Sequence, residues 1–298
     1  MLIQSLAKKE LISPPKWLPD NVHYLTEMGS IAYGVSTESS DTDLYGFCIP
    51  PKEDIFPHLR GEIMGFGRQH QGFEQWQQHH IVDASARGGH GEEYDFSVYS
   101  IVKYFNLCME NNPNMIDSLF TPVDCVRHIT PIGQMVRDQR RIFLHKGAWH
   151  KFRGYAHSQL SKMAGKSKES VRYAMVEQYG YDLKFAYHVV RLMCEIEQIL
   201  TIGDIDLRRD AELLKTIRRG EWTEQQVREW FTEKERVLEP LYNISTIIPY
   251  RPDEDQIKTL LINCLEQHYG SISTIIPNLD RYRKALLDIA SILTKSLY

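Results

Sequence analysis

Gly29-Ser30-Ile31-Ala32-Tyr33-Gly34, followed by Ser39-Ser40-Asp41-Thr42-Asp43-Leu44-Tyr45-Gly46-Phe47-Cys48-Ile49, is the stretch that decides the fold. It ends in an apolar run, Leu44–Ile49, of the kind a buried strand needs. Asp41 and Asp43 stand at the entrance of that run, two residues apart. Positions i and i+2 of a strand point to the same face, so both carboxylates converge on one spot. Such a pair is a poor structural choice unless a cation neutralises it. Hard oxygen ligands of this kind suit Mg²⁺ or Mn²⁺ shared with substrate phosphates. Upstream, the small Gly29-Ser30 turn lets backbone N–H groups and a hydroxyl approach a phosphate. Taken alone, Ser39–Asp43 also reads as a solvated turn or helix cap. The Gly-Ser partner and the apolar strand behind the carboxylates favour a catalytic centre for phosphoryl or nucleotidyl transfer.

Outward from this stretch, the first ~130 residues are dense in turn signals: Pro14-Pro15, Gly34, Gly46, Pro50-Pro51, Gly65, Gly67 and Gly88-Gly89. Short β-type runs lie between them at Val22–Leu25, Leu44–Ile49 and Tyr94–Val98. From about Thr130 apolar residues recur at three- and four-residue steps, through Phe152–Met163, Leu183–Leu200, Val227–Leu241, Ile257–Leu265 and Tyr282–Leu297. The expected fold class is α+β: a mixed sheet with flanking helices over residues 1–130, then a helical domain over 131–298 that completes the substrate cleft. Arg68 to Glu93, rich in Gln, Gly and His, reads as a long loop or a hairpin excursion. Ile-Ser-Thr-Ile-Ile-Pro occurs at Ile244–Pro249 and Ile272–Pro277, too few copies for a solenoid.

The net charge of −4 argues against a purely electrostatic nucleic-acid binder but leaves room for a local basic groove. Cys48, Cys108, Cys125, Cys194 and Cys264 are odd in number and widely spaced, which fits a reducing compartment better than a disulfide framework or zinc knuckle. Met1–Glu10 has no long apolar run and no stretch approaches the ~20 apolar residues of a membrane span. A cytoplasmic protein with no membrane partner is expected.

Gly-Ser, a short spacer and Asp-x-Asp on a strand resembles the active-site signature of the DNA polymerase β nucleotidyltransferase superfamily. That superfamily completes its metal site with a third carboxylate on a later strand. Asp95, within Glu93-Tyr94-Asp95-Phe96-Ser97-Val98-Tyr99, is the best candidate, with Glu92, Glu93 and Asp117 as alternatives. Further segments resemble one branch, the RNA-repair-pathway polymerase-β family of bacteria and phages. They are Ser40-Asp41-Thr42-Asp43-Leu44-Tyr45-Gly46, Tyr99–Phe105, Asn112-Pro113-Asn114, Gly154-Tyr155-Ala156 and Tyr181–His188 with Arg191-Leu192. The resemblance implies Asp41, Asp43 and Asp95 as catalytic metal ligands, two Mg²⁺ or Mn²⁺ ions, and a nucleoside triphosphate bound by Gly29, Ser30 and Ser40. It also implies RNA as acceptor and an RNA ligase as partner in the same pathway.

On a helix through Tyr181–Leu200, Lys184, His188 and Arg191 fall at i, i+4 and i+7, with Glu195 continuing the stripe. They read either as cations that neutralise a leaving pyrophosphate or as a solvated face. Arg137–Arg141 and Lys146–Lys151, interleaved with Phe143, Trp149 and Phe152, read either as a nucleic-acid track or as a solvated helix over buried aromatics. Lys162, Lys166 and Lys168 around Gly165 form a basic turn. His70, His79, His80 and His90 have no zinc-site spacing and read as loop histidines. Cys108 and Cys125 have no local base partner, so nucleophilic catalysis is not expected.

These readings converge on transfer of a nucleoside monophosphate from a nucleoside triphosphate to an acceptor hydroxyl, with pyrophosphate released and an RNA end as acceptor. Nucleotidylation of a protein or small-molecule hydroxyl is the first alternative. A non-catalytic nucleotide-sensing or partner-binding module is the second, disfavoured because such a module has no use for mutually repulsive carboxylates.

Overall fold

The apolar run behind Asp43 becomes a central strand. A computed structural model describes residues 1–37, 41–63, 65–163 and 173–270, with positions 286, 287 and 289. Ser40, the Gly165–Lys168 turn, the second Ile-Ser-Thr-Ile-Ile-Pro copy and all but three positions of Tyr282–Leu297 lie outside the described residues. In chain order the first part comprises α1 (Leu2–Lys8), α2 (Leu18–Asn21), β1 (Val22–Glu27), α3 (Gly29–Ala32), β2 (Thr42–Cys48), α4 (Lys52–Ile55), β3 (Gln75–Asp83), β4 (Glu92–Ser100), α5 (Ile101–Met109), α6 (Pro113–Phe120) and β5 (Val126–Ile129). The rest is helical: α7 (Pro131–Asp138), α8 (Gly147–Met163), α9 (Tyr173–Tyr179), α10 (Leu183–Ile202), α11 (Ala211–Arg218), α12 (Glu224–Ile244) and α13 (Glu254–Tyr269). The protein is thus α+β, with a mixed sheet in the order β3-β4-β2-β1-β5. β2 and β4 run parallel and the other neighbours antiparallel.

The inner strands are buried almost continuously, BBBBBB along β1, because both faces of the sheet are covered. Leu44, Cys48, Phe96 and Val98 pack with Ile3, Leu6 and Leu18 on one side. Phe47 and Tyr99 pack with Tyr104, Leu119 and Val190 on the other. The second cluster continues into Phe152, Leu192 and Phe231, so apolar packing runs without a break from the sheet into the later helices. Asp43 and Asp95 share strand parity with Phe47 and Tyr99, which turns them to the side where those helices lie.

Two elements differ from the expected pattern. The Arg68–Glu93 excursion contains β3, an edge strand paired with β4, so the hairpin reading is the one realised. β5, only four residues long, pairs with the other side of β1. Neither has the apolar run that marks a buried strand, because each is a sheet edge. All five cysteines are buried and unpaired. Among the described residues no helix is long and apolar enough to cross a membrane.

Gly46 lets β1 and β2 approach closely: a Cβ there would collide with the Tyr24 carbonyl oxygen. Backbone cannot step aside as a flexible side chain can, so Gly46→Ala should destabilise the chain by about 1–3 kcal/mol. Urea unfolding monitored by circular dichroism checks this, and an unchanged midpoint would contradict it.

Candidate active site

The parallel register of β2 and β4 places Asp43 opposite Asp95 and Thr42 opposite Tyr94. Side chains opposite one another in register share a face, so the two carboxylates stand side by side. Asp41, two residues before Asp43 at the mouth of β2, is exposed and adds its charge to the same spot. The consequence is visible at Asp43. Burial, then the Asp41 carboxylate, push its pKa from 3.8 up to about 6, with Asp95 adding to the rise and Lys184 and His79 opposing it. Four groups, from the mouth of β2, from β3, β4 and α10, therefore act on Asp43.

The Gly29-Ser30 turn closes this centre from the side of β1. The Met28 N–H donates to the Asp43 carbonyl at 2.8 Å. Gly29 has φ +64°, and a Cβ there would collide with the Asp43 Oδ2. Glycine is required twice over, for a left-handed conformation and for the space the carboxylate occupies. Ser30 is half-buried beside it.

β3 reaches Asp95 through a bulge. The ladder with β4 slips between Gln78 and Ile81, and His80 takes φ +56°, rare for a residue with a side chain. That conformation aims the His80 backbone N–H at Asp95 Oδ1, 2.7 Å away. The His79 Nδ1 lies 3.6 Å from the same oxygen, while the His80 ring turns to Glu93 at 2.8 Å. Sequence reading placed these histidines in a loop. No spacing rule marks a bulged edge strand, so their approach to Asp95 was not legible.

The alternative third carboxylates point elsewhere. Glu92 accepts hydrogen bonds from Thr42, Tyr94 and Arg87. Glu93 is held by His80. Asp117 is fully buried against Arg191 and Tyr33.

The helical half contributes Lys184. Asp182 caps α10, its Oδ1 accepting from the Lys184 and Phe185 N–H groups at 2.8 and 3.3 Å. The exposed Lys184 thus sits in the first turn of α10 with its charge acting on Asp43. His188, one turn on, is half-buried and stacks near Tyr187. Arg191 corrects the expected stripe. It is 2 % exposed, and its guanidinium is held by Asp117 and by Glu195 at 3.0 Å, over the Tyr33 ring at 4.3 Å. Its charge is consumed inside the protein and does not face a phosphate. Instead it fastens Tyr33, and so the Gly29–Gly34 turn, to α6 and α10.

Two further arginines brace that turn. Arg218 donates to the Val35 carbonyl at 2.7 Å and Arg208 to the Ile31 carbonyl at 3.4 Å. Both lie in or beside α11, far away in sequence, and no local pattern singles them out.

The donor set suits a divalent cation: clustered carboxylate oxygens, an Asp43 carboxyl whose pKa burial and repulsion raise, and a cradle that glycine keeps open. Among the described residues no three His, Cys, Asp or Glu side chains are already arranged to hold a metal ion, and Asp95 is drawn toward the His80 N–H. Asp41, Asp43 and Asp95 would hold the ion once Asp95 turns inward, a tightening usual between resting and loaded sites.

The sequence matches the model of the family described as the RNA repair pathway DNA polymerase beta family over residues 4–240. It is also 25% identical, over 136 residues, to an uncharacterised 38.9 kDa protein from the nrdC-mobD intergenic region of Enterobacteria phage T4. That alignment covers 45% of this chain and 36% of the phage protein, so the chain matches about a third of its relative's length. No solved structure matches.

Asp43's folded pKa, about 6, exceeds its ordinary 3.8, so its charge destabilises the metal-free fold progressively as pH rises from about 4 to above 6. Asp43→Asn should therefore raise metal-free stability at pH 7.5 by roughly 1–3 kcal/mol, and the gain should vanish below pH 4. Urea midpoints at the two pH values measure this; equal gains at both would contradict it. Arg191→Met strands two buried carboxyl groups and should cost about 3–5 kcal/mol. A variant of wild-type stability with weakened nucleotide binding would return Arg191 to the phosphate site.

Proposed function

The chain belongs to the RNA repair pathway DNA polymerase beta family, and from that premise we propose that it is a metal-dependent nucleotidyltransferase acting on an RNA end. It moves a nucleoside monophosphate from a nucleoside triphosphate to an RNA hydroxyl and releases pyrophosphate. The observation that carries this reading is Asp43 beside Asp95 on parallel strands, with Asp41 adding to their charge and a glycine turn packed against Asp43 Oδ2.

In this mechanism the triphosphate lies along the Gly29-Ser30 turn, whose hydroxyl and backbone N–H groups bind phosphate oxygens. Asp41, Asp43 and Asp95 would hold Mg²⁺ or Mn²⁺, two ions by the superfamily's pattern. Bound there, the ions supply charge neutralisation and polarise the reacting oxygens. Asp95 takes the proton of the attacking RNA hydroxyl. The hydroxyl oxygen bonds to the α-phosphorus as the bond from that phosphorus to the bridging oxygen breaks in line. Lys184 offsets the charge on the departing pyrophosphate, with His188 one turn along α10. Burial and the neighbouring carboxylates raise the Asp43 pKa to about 6, so below that pH a proton competes with the cation and metal affinity falls.

The test is label transfer from each α-labelled nucleoside triphosphate, with divalent metal, to RNA, protein and small-molecule acceptors. The expected result is label on RNA, lost by at least a hundredfold in Asp43→Ala and Asp95→Ala, with weaker triphosphate binding in Lys184→Ala. Added Mg²⁺ should raise the urea midpoint of the wild type and leave that of Asp43→Ala unchanged. Label on protein or small molecules alone would replace the acceptor, and transfer unaffected by Asp43→Ala would overturn the mechanism.

A further inference from the structure

From Gln139 to Lys168 the chain contains no aspartate or glutamate, yet it carries eight lysines and arginines and three histidines. In a protein of net charge −4 with 39 acidic residues, this is a local reversal of sign. The segment includes all of α8, a 17-residue helix about 25 Å long.

The buried and exposed faces of α8 differ sharply. Trp149, Phe152 and Ala156 are core, and so is Phe143 before it. The aromatics interleaved with the basic residues are therefore not a stacking surface. His150, Gly154, His157 and Ser161 are exposed at spacings of four, three and four, with Lys151 and Lys162 alongside. Nothing stands within 4 Å of the place where a Cβ on Gly154 would be, which leaves that face open midway along the helix. Some cations on and around it are neutralised: Lys151 by Glu110 and Arg153 by Glu235, which also meets the His157 ring at 3.1 Å. Among the described residues Lys146, Lys162 and Arg251 have no carboxylate partner.

At the N-terminal end of α8 lies a hollow of about 150 Å³, lined by His145, Lys146, His150, Tyr242, Tyr250 and Arg251 together with Gly147 and Pro252. No carboxylate lines it. Tyr242 is backed by Trp149, their rings 6.0 Å apart and 21° from parallel, so one aromatic wall is rigid. Tyr250, which meets the Tyr242 hydroxyl across the hollow, is still 68% exposed, an unusual position for a large aromatic side chain. The Lys146 ammonium donates to the Asn243 carbonyl at 3.3 Å and lies over the Tyr242 ring, which leaves the exposed Tyr250 and Arg251 as the open aromatic and cation of the hollow. An aromatic ring beside a cation without a carboxylate partner is what a single strand of nucleic acid binds, by stacking and by phosphate contact. At its other end, α8 adjoins the start of α10, where the Asp182 N–H donates to the Met163 carbonyl at 3.2 Å and Lys184 follows.

We propose that the exposed face of α8 is a track for single-stranded RNA, running from the Tyr250–Arg251 hollow past Gly154 to Lys162 and on to the carboxylate centre. The proposal rests on RNA being the acceptor. A stacked strand at about 3.4 Å per nucleotide needs roughly eight nucleotides to span the helix. Trinucleotides reach the centre without touching the hollow.

The experiment measures fluorescence anisotropy of labelled 12-nucleotide and 3-nucleotide RNAs with wild type, Tyr250→Ala and Arg251→Glu/Lys162→Glu. These are solvent-facing positions, and equal urea midpoints establish that the variants are folded. The double variant should bind the 12-mer at least tenfold more weakly, with a shallower salt dependence, and Tyr250→Ala should weaken it several-fold. Binding of the 3-mer and of triphosphate should not change. Wild type that binds the 12-mer no better than the double variant does overturns the track and leaves the RNA acceptor standing. Wild type that binds no RNA while transferring nucleotide elsewhere overturns both. Tighter binding of the same sequence as DNA, or equal binding of polyglutamate, overturns it in favour of DNA or an acidic protein.

Discussion

The parallel pairing of β2 with β4 forces Asp43 and Asp95 together at the mouth of two interior strands, and the surrounding structure answers that crowding. Asp43 is partly withdrawn from water there, and its burial, then the charges of the exposed Asp41 and of Asp95, raise its pKa to about 6. Gly29 gives up a side chain to leave the carboxylate room. β3 bulges to direct the His80 N–H onto Asp95, and α10 brings Lys184 within electrostatic reach. Carboxylates crowded this way cost the fold stability, a local conflict of the kind that proteins keep at functional sites.

That centre needs the helical half to keep its shape. The turn carrying Gly29 contains Tyr33, whose hydroxyl donates to Asp117 at 2.9 Å and whose ring lies under Arg191. One guanidinium serves two buried carboxyl groups, Asp117 and Glu195, and burial pushes Glu195 well above the usual carboxylate range. Arg208 and Arg218 hold the turn's carbonyls from α11. The Gly29–Gly34 turn is therefore pinned from both sides, by β2 through the Met28 N–H and by helices from much later in the chain. Movement of those helices would be felt directly at Gly29.

How much of this was legible depended on how local each signal is. Asp41, Asp43 and the strand behind them lie within nine residues of sequence, and period-two alternation is a local rule that survives folding. The long helices announced themselves by their apolar spacing for the same reason. β3 did not, because an edge strand of Gln and His exposes one side to water and needs no apolar alternation. Lys184 and Arg191 show the limit most clearly. They share a helix face by spacing, yet one is exposed and the other is sealed between Asp117 and Glu195. Spacing defines a face, while the partner packed against each turn decides what that face meets.

By itself, then, the sequence determined the chemistry gathered at one strand mouth, the α+β class and the Gly29-Ser30 turn beside Asp41 and Asp43, because all of these follow from neighbours within a few bonds or a few turns. Only the tertiary structure decided that Asp95 completes the cluster rather than Glu92 or Asp117. Only it decided that Lys184 and not Arg191 faces the cluster, and that the acid-free segment 139–163 hides its aromatics and shows its cations. These are matters of strand register and helix rotation, governed by which apolar surfaces are buried across the whole molecule, and no local pattern encodes them.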